Sequence, residues 1–101
     1  MACYTDSSTR TLSKGVSITG GGNNMTIANC LDGCAKSGLT YCGAEYYSEC
    51  YGSATQPATS LALSGDPLAN GCNYDCKGNS TEACGGANRI LVYVNNGTTL
   101  N

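Results

Sequence analysis

The sequence contains no histidine, no tryptophan and no phenylalanine among its 101 residues. Without histidine, a serine nucleophile lacks its usual imidazole base, so the common Ser-His-Asp triad is excluded. Leucine, isoleucine and valine together supply only fourteen residues. A single domain of this length with so few large apolar side chains cannot build a strong hydrophobic core, so another source of stability is needed.

Charge is scarce as well, because five basic and seven acidic residues leave a net charge of −2. The basic residues are scattered along the chain, at Arg10, Lys14, Lys36, Lys77 and Arg89. Nucleic acids and anionic membranes bind concentrated positive surfaces, so neither is an expected partner. The longest purely apolar run, Ile90 to Val94, has five residues. A membrane-spanning helix needs about 20, so no span is expected in this chain.

Cysteine, by contrast, is abundant. The eight cysteines are Cys3, Cys30, Cys34, Cys42, Cys50, Cys72, Cys76 and Cys84. An even number in a short chain is typical of secreted domains in which disulfides replace the missing core. We therefore expect four disulfides in an extracellular protein, with a secretion leader that is not part of this sequence. Roughly 105 pairings remain open from spacing alone. Glycosylation sequons at Asn24, Asn79 and Asn96 agree with secretion.

Two of the cysteine spacings could also indicate a metal site. Cys30-x3-Cys34 and Cys72-x3-Cys76 place paired thiols four positions apart in the sequence. Structural zinc sites more often use two-residue knuckles and commonly include histidine. Disulfides account for all eight sulfurs, whereas one zinc ion would leave four unexplained. We therefore expect neither a metal nor another cofactor.

One helix is predicted over "MTIANCLDGCAKSG", residues 25–38. Its apolar face is formed by Ile27, Cys30, Leu31, Cys34 and Ala35, which follow helical spacing. Thr26 is a good N-cap, and Gly38 is a good C-terminal stop. Because two cysteines lie on the apolar face, we expect the helix to be bonded twice to the sheet that it covers.

Strands are predicted around Cys3 and Tyr4, twice within residues 40–52 with a turn near Tyr47-Ser48, and centrally at "ILVYV" (90–94). Residues 54–71 are expected to form a long loop, and residues 72–89 a cysteine-anchored segment with little regular structure. We expect a core over residues 3–94 and a flexible tail over residues 95–101.

Two nearby glutamates, Glu45 and Glu49, could be read as the carboxylate pair of a glycosidase. Such a pair must face a cleft that holds a sugar, and a small disulfide-bonded domain has little room for one. We expect instead that one glutamate is structural near the turn and that the other is solvated. No catalytic residue is predicted, since the cysteines are also expected to be oxidised.

The segment "YCGAEYYSECYG" (41–52) contains four of the seven tyrosines. Tyrosine rings supply flat apolar surface with a polar tip, which suits sugar faces and their hydroxyl rims. Tyr41 and Tyr93 are expected inside. The predicted ligand-binding tyrosines are Tyr46, Tyr47, Tyr51 and Tyr74. Further hydrogen bonds are expected from Asp6, Asn73, Asp75 and Asn88, although each of these also suits a turn.

Four stretches occur in an order that resembles the WSC domain: "CYTDSSTRTL", "MTIANCLDGCAKSG", "YCGAEYYSECYG" and "CNYDCKGNSTEACGGANRILVY". The resemblance runs from about Cys3 to Tyr93. Its most specific elements are G-x-E-Y (residues 43–46), E-C-Y (49–51) and C-G-G-x-N-R (84–89). Proteins of this family include fungal cell-wall stress sensors, extracellular fungal enzymes with an appended module, and some animal receptors.

The resemblance implies an α+β fold: a small disulfide-rich domain of the PAN/apple type, with an antiparallel sheet crossed by one main helix. It also implies non-catalytic binding of cell-wall polysaccharide, with fungal β-1,3-glucan as the first candidate. A protein-interaction module with weak self-association, or a small secreted inhibitor or effector, remain alternatives. The resemblance assigns no sugar-contacting residue.

The cysteine pattern departs from the family at two positions. The family usually reads E-C-Y-C-G, but here Gly52 follows Tyr51 and the second cysteine is missing. The family often has alanine before G-x-E-Y, where this chain has Cys42. Our hypothesis is that Cys42, from a neighbouring strand, takes the partner that the missing cysteine would have had.

Overall fold

The computed structural model describes residues 1–95, which form an α+β domain. The elements are β1 (Ala2–Thr5), β2 (Lys14–Gly15), α1 (Ile27–Lys36), β3 (Tyr41–Glu45), β4 (Glu49–Ser53), β5 (Ala62–Leu63), β6 (Asp75–Cys76), β7 (Asn79–Ala83) and β8 (Arg89–Val94). Short 3-10 turns occur at Gly22–Asn24 and Thr59–Leu61. The predicted tail lies outside the described residues beyond Asn95, as does the Asn96 sequon. Asn95 itself is buried, and its N–H donates to the Thr40 carbonyl.

Six strands form one antiparallel sheet in the order β2-β4-β3-β8-β1-β5. The central position predicted for "ILVYV" is confirmed, because β8 pairs with β3 on one side and with β1 on the other. Ile90, Leu91 and Val92 are buried, so the strand is covered on both faces. This burial explains why its sequence is a continuous apolar run instead of an alternating one.

Helix α1 begins and ends where the sequence predicts. The Thr26 hydroxyl accepts a hydrogen bond from the Asn29 N–H at 3.0 Å, which is an N-cap contact. Gly38 has φ +71°, a left-handed conformation that glycine adopts without steric cost. The next N–H, of Leu39, donates to the Cys34 carbonyl at 2.9 Å, which completes a Schellman-type C-cap.

Four disulfides join all eight cysteines: Cys3–Cys72, Cys30–Cys50, Cys34–Cys42 and Cys76–Cys84. The second and third of these bond α1 to β4 and β3, as predicted for the two helix cysteines. The buried face of the helix is narrower than expected, because Ala35 is exposed while Cys30, Leu31 and Cys34 are buried. The two disulfides thus hold the helix against the sheet, in place of a wider apolar contact.

The hypothesis about Cys42 agrees with the strand register. Cys42 on β3 lies directly opposite Gly52 on β4, and its Sγ bonds to Cys34. A Cβ placed on Gly52 would lie 3.1 Å from the Sγ of Cys34. Positions 42 and 52 therefore both lie within disulfide distance of the Cys34 sulfur, which is consistent with a cysteine at either position bonding to Cys34.

Two segments predicted as irregular contain short strands, so those predictions are wrong in part. The loop over 54–71 includes β5, which pairs with β1 at the sheet edge. The segment over 72–89 includes the β6–β7 hairpin, a second sheet whose Asp75 pairs with Ala83. β5 and β6 have two residues each, which is too short to leave an alternating pattern, and β7 (NSTEA) is mostly polar, so it leaves no apolar alternation either.

The sheet separates two apolar layers. On one side, α1 packs on a cluster that includes Cys42, Ala44 and Cys50. On the other side, residues of the segment between β1 and β2 cover the sheet, and Leu12 is fully buried against Ile90. The tyrosines predicted inside are half-buried: Tyr41 packs against the Leu12 layer, and Tyr93 packs on the clusters that contain Cys42 and Cys3.

Candidate functional site

Three tyrosines meet at one end of the molecule and form what we call the tyrosine platform: Tyr46, Tyr47 and Tyr74. The rings of Tyr47 and Tyr74 are stacked, with centroids 4.4 Å apart and planes 26° apart. The Tyr46 ring lies 5.4 Å from Tyr47 and 5.8 Å from Tyr74. Tyr46 is 50% exposed and Tyr47 is 42% exposed. The cluster is therefore an aromatic surface open to solvent.

The first two rings of the platform stand on a strained turn. Tyr46 and Tyr47 join β3 to β4 with φ of 52° and 70°. A left-handed backbone costs roughly 1–2 kcal/mol for a residue that carries a Cβ. The Lys77 N–H donates to the Tyr47 carbonyl at 2.9 Å, which ties the turn to the β6–β7 hairpin. Bulky side chains kept in such a conformation are a feature of functional sites.

The third ring is held by the disulfide-bonded hairpin. The Tyr74 N–H donates to the Gly85 carbonyl at 2.9 Å, and the Cys84 N–H donates to the Tyr74 carbonyl at 2.7 Å. The Cys76–Cys84 bond closes this same hairpin. Tyr74 is thus fixed on both sides by covalent and hydrogen-bonded structure, and its ring is available as a rigid stacking partner for Tyr47.

The C-G-G-x-N-R stretch has a structural function next to the platform. Gly85 has φ +70°, and a Cβ there would overlap the Ala44 carbonyl oxygen. Arg89 donates from Nε to the Asn70 carbonyl at 3.0 Å. The motif therefore lets the hairpin pack closely against β3, which brings Tyr74 beside the β3–β4 turn.

A cleft adjoins the platform on the side of Tyr46. It encloses about 330 Å³ and is lined by Arg10, Glu45, Tyr46, Glu49, Ala87 and Asn88. We call it the Arg10 cleft. Because Tyr46 belongs to both features, the platform and the cleft adjoin each other.

Arg10 is held in place by two carboxyl groups and by an aromatic ring. Its Nη1 lies 2.8 Å from Asp6 Oδ2 and 3.4 Å from Glu45 Oε1. Its guanidinium lies 4.7 Å from the centroid of the Tyr51 ring, which is cation–π geometry. Asp6 also accepts from the Thr11 N–H at 2.7 Å. Arg10 is thereby fixed at the border of the cleft.

The two buried carboxyl groups beside Arg10 have opposite pKa shifts. Burial, together with the hydrogen bond to Asp6 and the negative charge of Asp6, raises the pKa of Glu45 to about 9, although the positive charge of Arg10 acts to lower it. Burial also acts to raise the pKa of Asp6, but its hydrogen bonds with Glu45, Thr11 and Arg10 help to bring that pKa below its ordinary value. At neutral pH, Glu45 therefore keeps its proton, and Asp6 is the anion that pairs with Arg10.

Glu49 differs from its cross-strand neighbour Glu45. Glu49 is half-exposed, and its Oε1 accepts from the Tyr51 hydroxyl at 2.8 Å. Burial and this hydrogen bond raise the pKa of Tyr51 to about 12, so the hydroxyl remains a donor. Only 5% of the Glu45 side chain is exposed. Glu45 is thus structural, as expected for one of the two glutamates, whereas Glu49 is only half-exposed and bonded to Tyr51, so the expectation of a solvated glutamate is met only in part.

The structure brings some of the predicted ligand-binding residues together and separates others. Asn73 and Asp75 flank Tyr74 and are exposed. Asn88 is exposed and lines the Arg10 cleft. Tyr51 is half-buried under Arg10 and does not belong to the platform. Asp6 is buried, and its carboxylate holds the loop that carries Arg10.

Sequence reasoning missed Arg10 as a residue of the site. Its contact with Glu45 joins positions 35 apart in sequence, which no local pattern reveals. The one local signal was the i,i+4 spacing of Asp6 and Arg10, but that spacing indicates an ion pair only on a helix. Here the two residues lie in a loop, and Arg10 has φ 59°.

A larger cleft of about 450 Å³ lies elsewhere, lined mainly by apolar groups that include Met1, Leu68, Leu91 and Tyr93. It shares no lining residue with the Arg10 cleft. Stacked exposed rings are found at the platform and not in this second cleft.

The cluster of four sulfurs from Cys30, Cys34, Cys42 and Cys50 resembles a metal site, since all lie within 4.8 Å of one another. They are the sulfurs of two disulfides, Cys30–Cys50 and Cys34–Cys42. A disulfide sulfur is not a thiolate ligand, so the cluster as it stands offers no metal-binding thiolate.

Comparison with known proteins assigns the family. The WSC domain profile matches residues 1–86 of this chain. The chain belongs to the WSC domain family. A WSC domain-containing protein of Arthroderma benhamiae is 39% identical to it over 99 residues, which cover 94% of this chain. A putative fungistatic metabolite of Chaetomium globosum is 38% identical over 96 residues.

A relative from outside the fungi is the xylosyltransferase oxt of Drosophila pseudoobscura, which is 32% identical over 93 residues. These matches cover 94%, 90% and 92% of this chain but only 10%, 39% and 10% of the respective relatives. The chain thus spans less than half of the length of each of these relatives. Across residues 1–95, no helix has the length and apolar character needed to cross a membrane.

Proposed function

We propose that this WSC domain is a non-catalytic, extracellular module that binds cell-wall polysaccharide, with fungal β-1,3-glucan as the leading ligand. The observation that carries the proposal is the tyrosine platform. Tyr46 and Tyr47 keep large exposed rings on a turn whose backbone favours glycine. A fold under selection for stability alone would place glycine or asparagine at such positions. The retained rings are best explained by a ligand that stacks on them.

The chemistry of the platform fits a sugar chain. A pyranose ring has a face of C–H groups and a rim of hydroxyls, and tyrosine offers an apolar ring with a hydroxyl at its tip. The surface is open, so each sugar loses little contact with water and gains little affinity. Binding should therefore depend on long chains, or on several modules that act together.

The carboxyl groups support binding without catalysis. A glycosidase needs one carboxylic acid that can protonate the leaving oxygen and a second carboxylate that faces it across the sugar. Glu45 retains a proton, but its side chain is buried and is engaged with Asp6 and Arg10. Glu49 remains available to accept hydrogen bonds from sugar hydroxyls.

The direct test is depletion of the protein from solution by insoluble β-1,3-glucan, chitin, cellulose and pectin. We expect retention on β-1,3-glucan, and a loss of affinity of about tenfold for Tyr47→Ala or Tyr74→Ala, equivalent to roughly 1.4 kcal/mol. Leu68→Ala is the matched control, because Leu68 is 53% exposed and lines the other cleft. Retention that is equal for the platform variants and the control would reject the platform as the binding surface.

Self-association is the second candidate, and the same exposed rings favour it, because tyrosine is enriched at protein interfaces. Sedimentation velocity over a concentration series separates the two functions. Failure to bind any of the four polysaccharides, together with dimers that Tyr46→Ala abolishes, would favour self-association over glycan binding.

A further inference from the structure

The Arg10 cleft has unused hydrogen-bonding groups beside the platform. Arg10 Nη1 contacts Asp6 and Glu45, whereas its Nε and Nη2 donate to no acceptor among residues 1–95. Glu49 receives the Tyr51 hydroxyl on Oε1, and no donor within the described chain reaches its Oε2. The side-chain amide of Asn88 likewise has no hydrogen-bond partner in that part of the chain. Three residues that carry free donors or acceptors, Arg10, Glu49 and Asn88, therefore line one small cleft.

The cleft has the size of a small-ligand site. Its volume of about 330 Å³ lies at the lower end of the range of roughly 300–1,000 Å³ that such sites span. Tyr46 forms one wall of the cleft and one edge of the platform. A sugar chain that stacks on the platform can thus place its neighbouring ring in the cleft without a break in contact.

The charges of the cleft favour a neutral ligand. The positive charge of Arg10 is already paired with Asp6, and Glu45 stays protonated. Glu49 is left as the unpaired charge, and it repels a carboxylate or sulfate.

We propose that the Arg10 cleft is a second subsite, in which Arg10, Glu49 and Asn88 bind the hydroxyl groups of an uncharged sugar ring adjacent to the ring on the platform. This inference rests on the proposed function. The subsite is preorganised, because the Asp6 ion pair and the Tyr51 ring fix Arg10 before any ligand arrives. Preorganised groups lose less conformational entropy on binding, so they add affinity efficiently.

The experiment measures dissociation constants by calorimetry for β-1,3-linked glucose oligosaccharides of two to six units. The variants are Glu49→Gln, which keeps an acceptor for Tyr51, and Asn88→Gly, which suits the φ of 55° at that position. Unfolding midpoints equal to that of the native protein establish that both variants are folded. Tyr47→Ala serves as the platform variant.

We expect native affinity to rise stepwise once the oligosaccharide is long enough to occupy both subsites. Glu49→Gln and Asn88→Gly should reduce that step by about five- to tenfold, as expected for a lost hydrogen bond, and leave the affinity for the shortest ligand unchanged. Tyr47→Ala should weaken binding at every length. If both cleft variants show the same dependence of affinity on oligosaccharide length as the native protein, the second subsite is rejected. The platform would not be affected by that result. Absence of binding by the native protein would instead reject the proposed function.

A second arm uses oligogalacturonides of matched length. The native protein should bind them at least about fivefold more weakly than neutral chains, and Glu49→Gln should narrow that difference. Equal or tighter binding of the acidic chains by the native protein would contradict the charge argument on which the subsite depends.

Discussion

Moving one cysteine across the β3–β4 pair should preserve the disulfide to the helix. The variant combines Cys42→Ala with Gly52→Cys, because positions 42 and 52 are cross-strand partners and both lie near the Cys34 sulfur. The native bond closes a separation of 8 residues, which restricts the unfolded chain by about 2.5 kcal/mol. The moved bond closes a separation of 18 residues and should contribute about 3.2 kcal/mol by the same relation.

Crowding at position 52 will reduce the extra stability expected from the moved disulfide. A Cβ at position 52 would lie 2.5 Å from Leu39 Cδ1, so the leucine must change rotamer. Overpacking of this kind costs roughly 1–3 kcal/mol. We therefore expect the moved variant to lie within about 2 kcal/mol of the native protein.

Guanidinium denaturation under non-reducing conditions measures these stabilities, and mass spectrometry of unreduced peptides identifies the pairing. Cys34→Ala with Cys42→Ala should lose about 2.5 kcal/mol. Cys42→Ala with Gly52→Ala is the matched control, because it adds the Cβ but cannot form the bond. The reasoning is refuted if Cys34 of the moved variant stays a free thiol, or if its stability equals that of this control.

Three further outcomes follow from the same geometry. Because burial raises the pKa of Glu45 to about 9, the native state keeps a proton that the unfolded chain loses above about pH 4.5, so stability should fall as pH rises between these values. Glu45→Gln should flatten this decline, as seen in denaturant midpoints at pH 5 and 8.5; an unchanged slope would exclude Glu45 as its source. Tyr46→Gly should leave the melting temperature equal to or above the native value, because release of about 1–2 kcal/mol of backbone strain offsets the lost ring contacts; a clear decrease would show that the turn is unstrained. Removal of Cys3–Cys72, with a separation of 69 residues, should cost about 4.4 kcal/mol, the most of any disulfide; a smaller loss than for Cys34–Cys42 would contradict that ranking.

The elements that the sequence predicted correctly are those with local signals. Helix α1 combines Thr26 at its start, Gly38 at its end and apolar residues at helical spacing, and each signal lies within about one turn of the helix. The central strand β8 is a run of apolar residues long enough to recognise. Its two neighbours could not be read from the sequence, because strand order depends on contacts between distant residues.

The tyrosines show where local patterns are insufficient. Alternation along one strand shows which of its residues share a face. Which residues of the next strand lie on that same face depends on the turn between the two strands. The β3–β4 register places Tyr51 opposite Gly43, on the same face as Tyr41, so Tyr51 packs under Arg10. Tyr74 joins the platform through the hydrogen bonds of a hairpin that the sequence did not predict.

The Arg10 cluster lay beyond sequence reasoning for the same reason. Asp6, Arg10 and Glu45 come from a loop and a strand that meet only in the folded protein. Each residue alone is an ordinary surface type. The burial and the hydrogen bonds that shift the pKa values of the two carboxyl groups become visible only when the sheet and the covering loop are assembled.

The most direct measurement of the central claim is a titration of the ¹⁵N-labelled domain with a neutral β-1,3-glucan hexasaccharide, followed by amide chemical shifts. Saturable shifts should concentrate at residues 45–49, 73–77 and 87–89, around the platform and the Arg10 cleft. Shifts centred instead on Leu68 and Tyr93, or no shifts at millimolar ligand, would contradict the claim that the disulfide-held tyrosines form the glycan-binding surface.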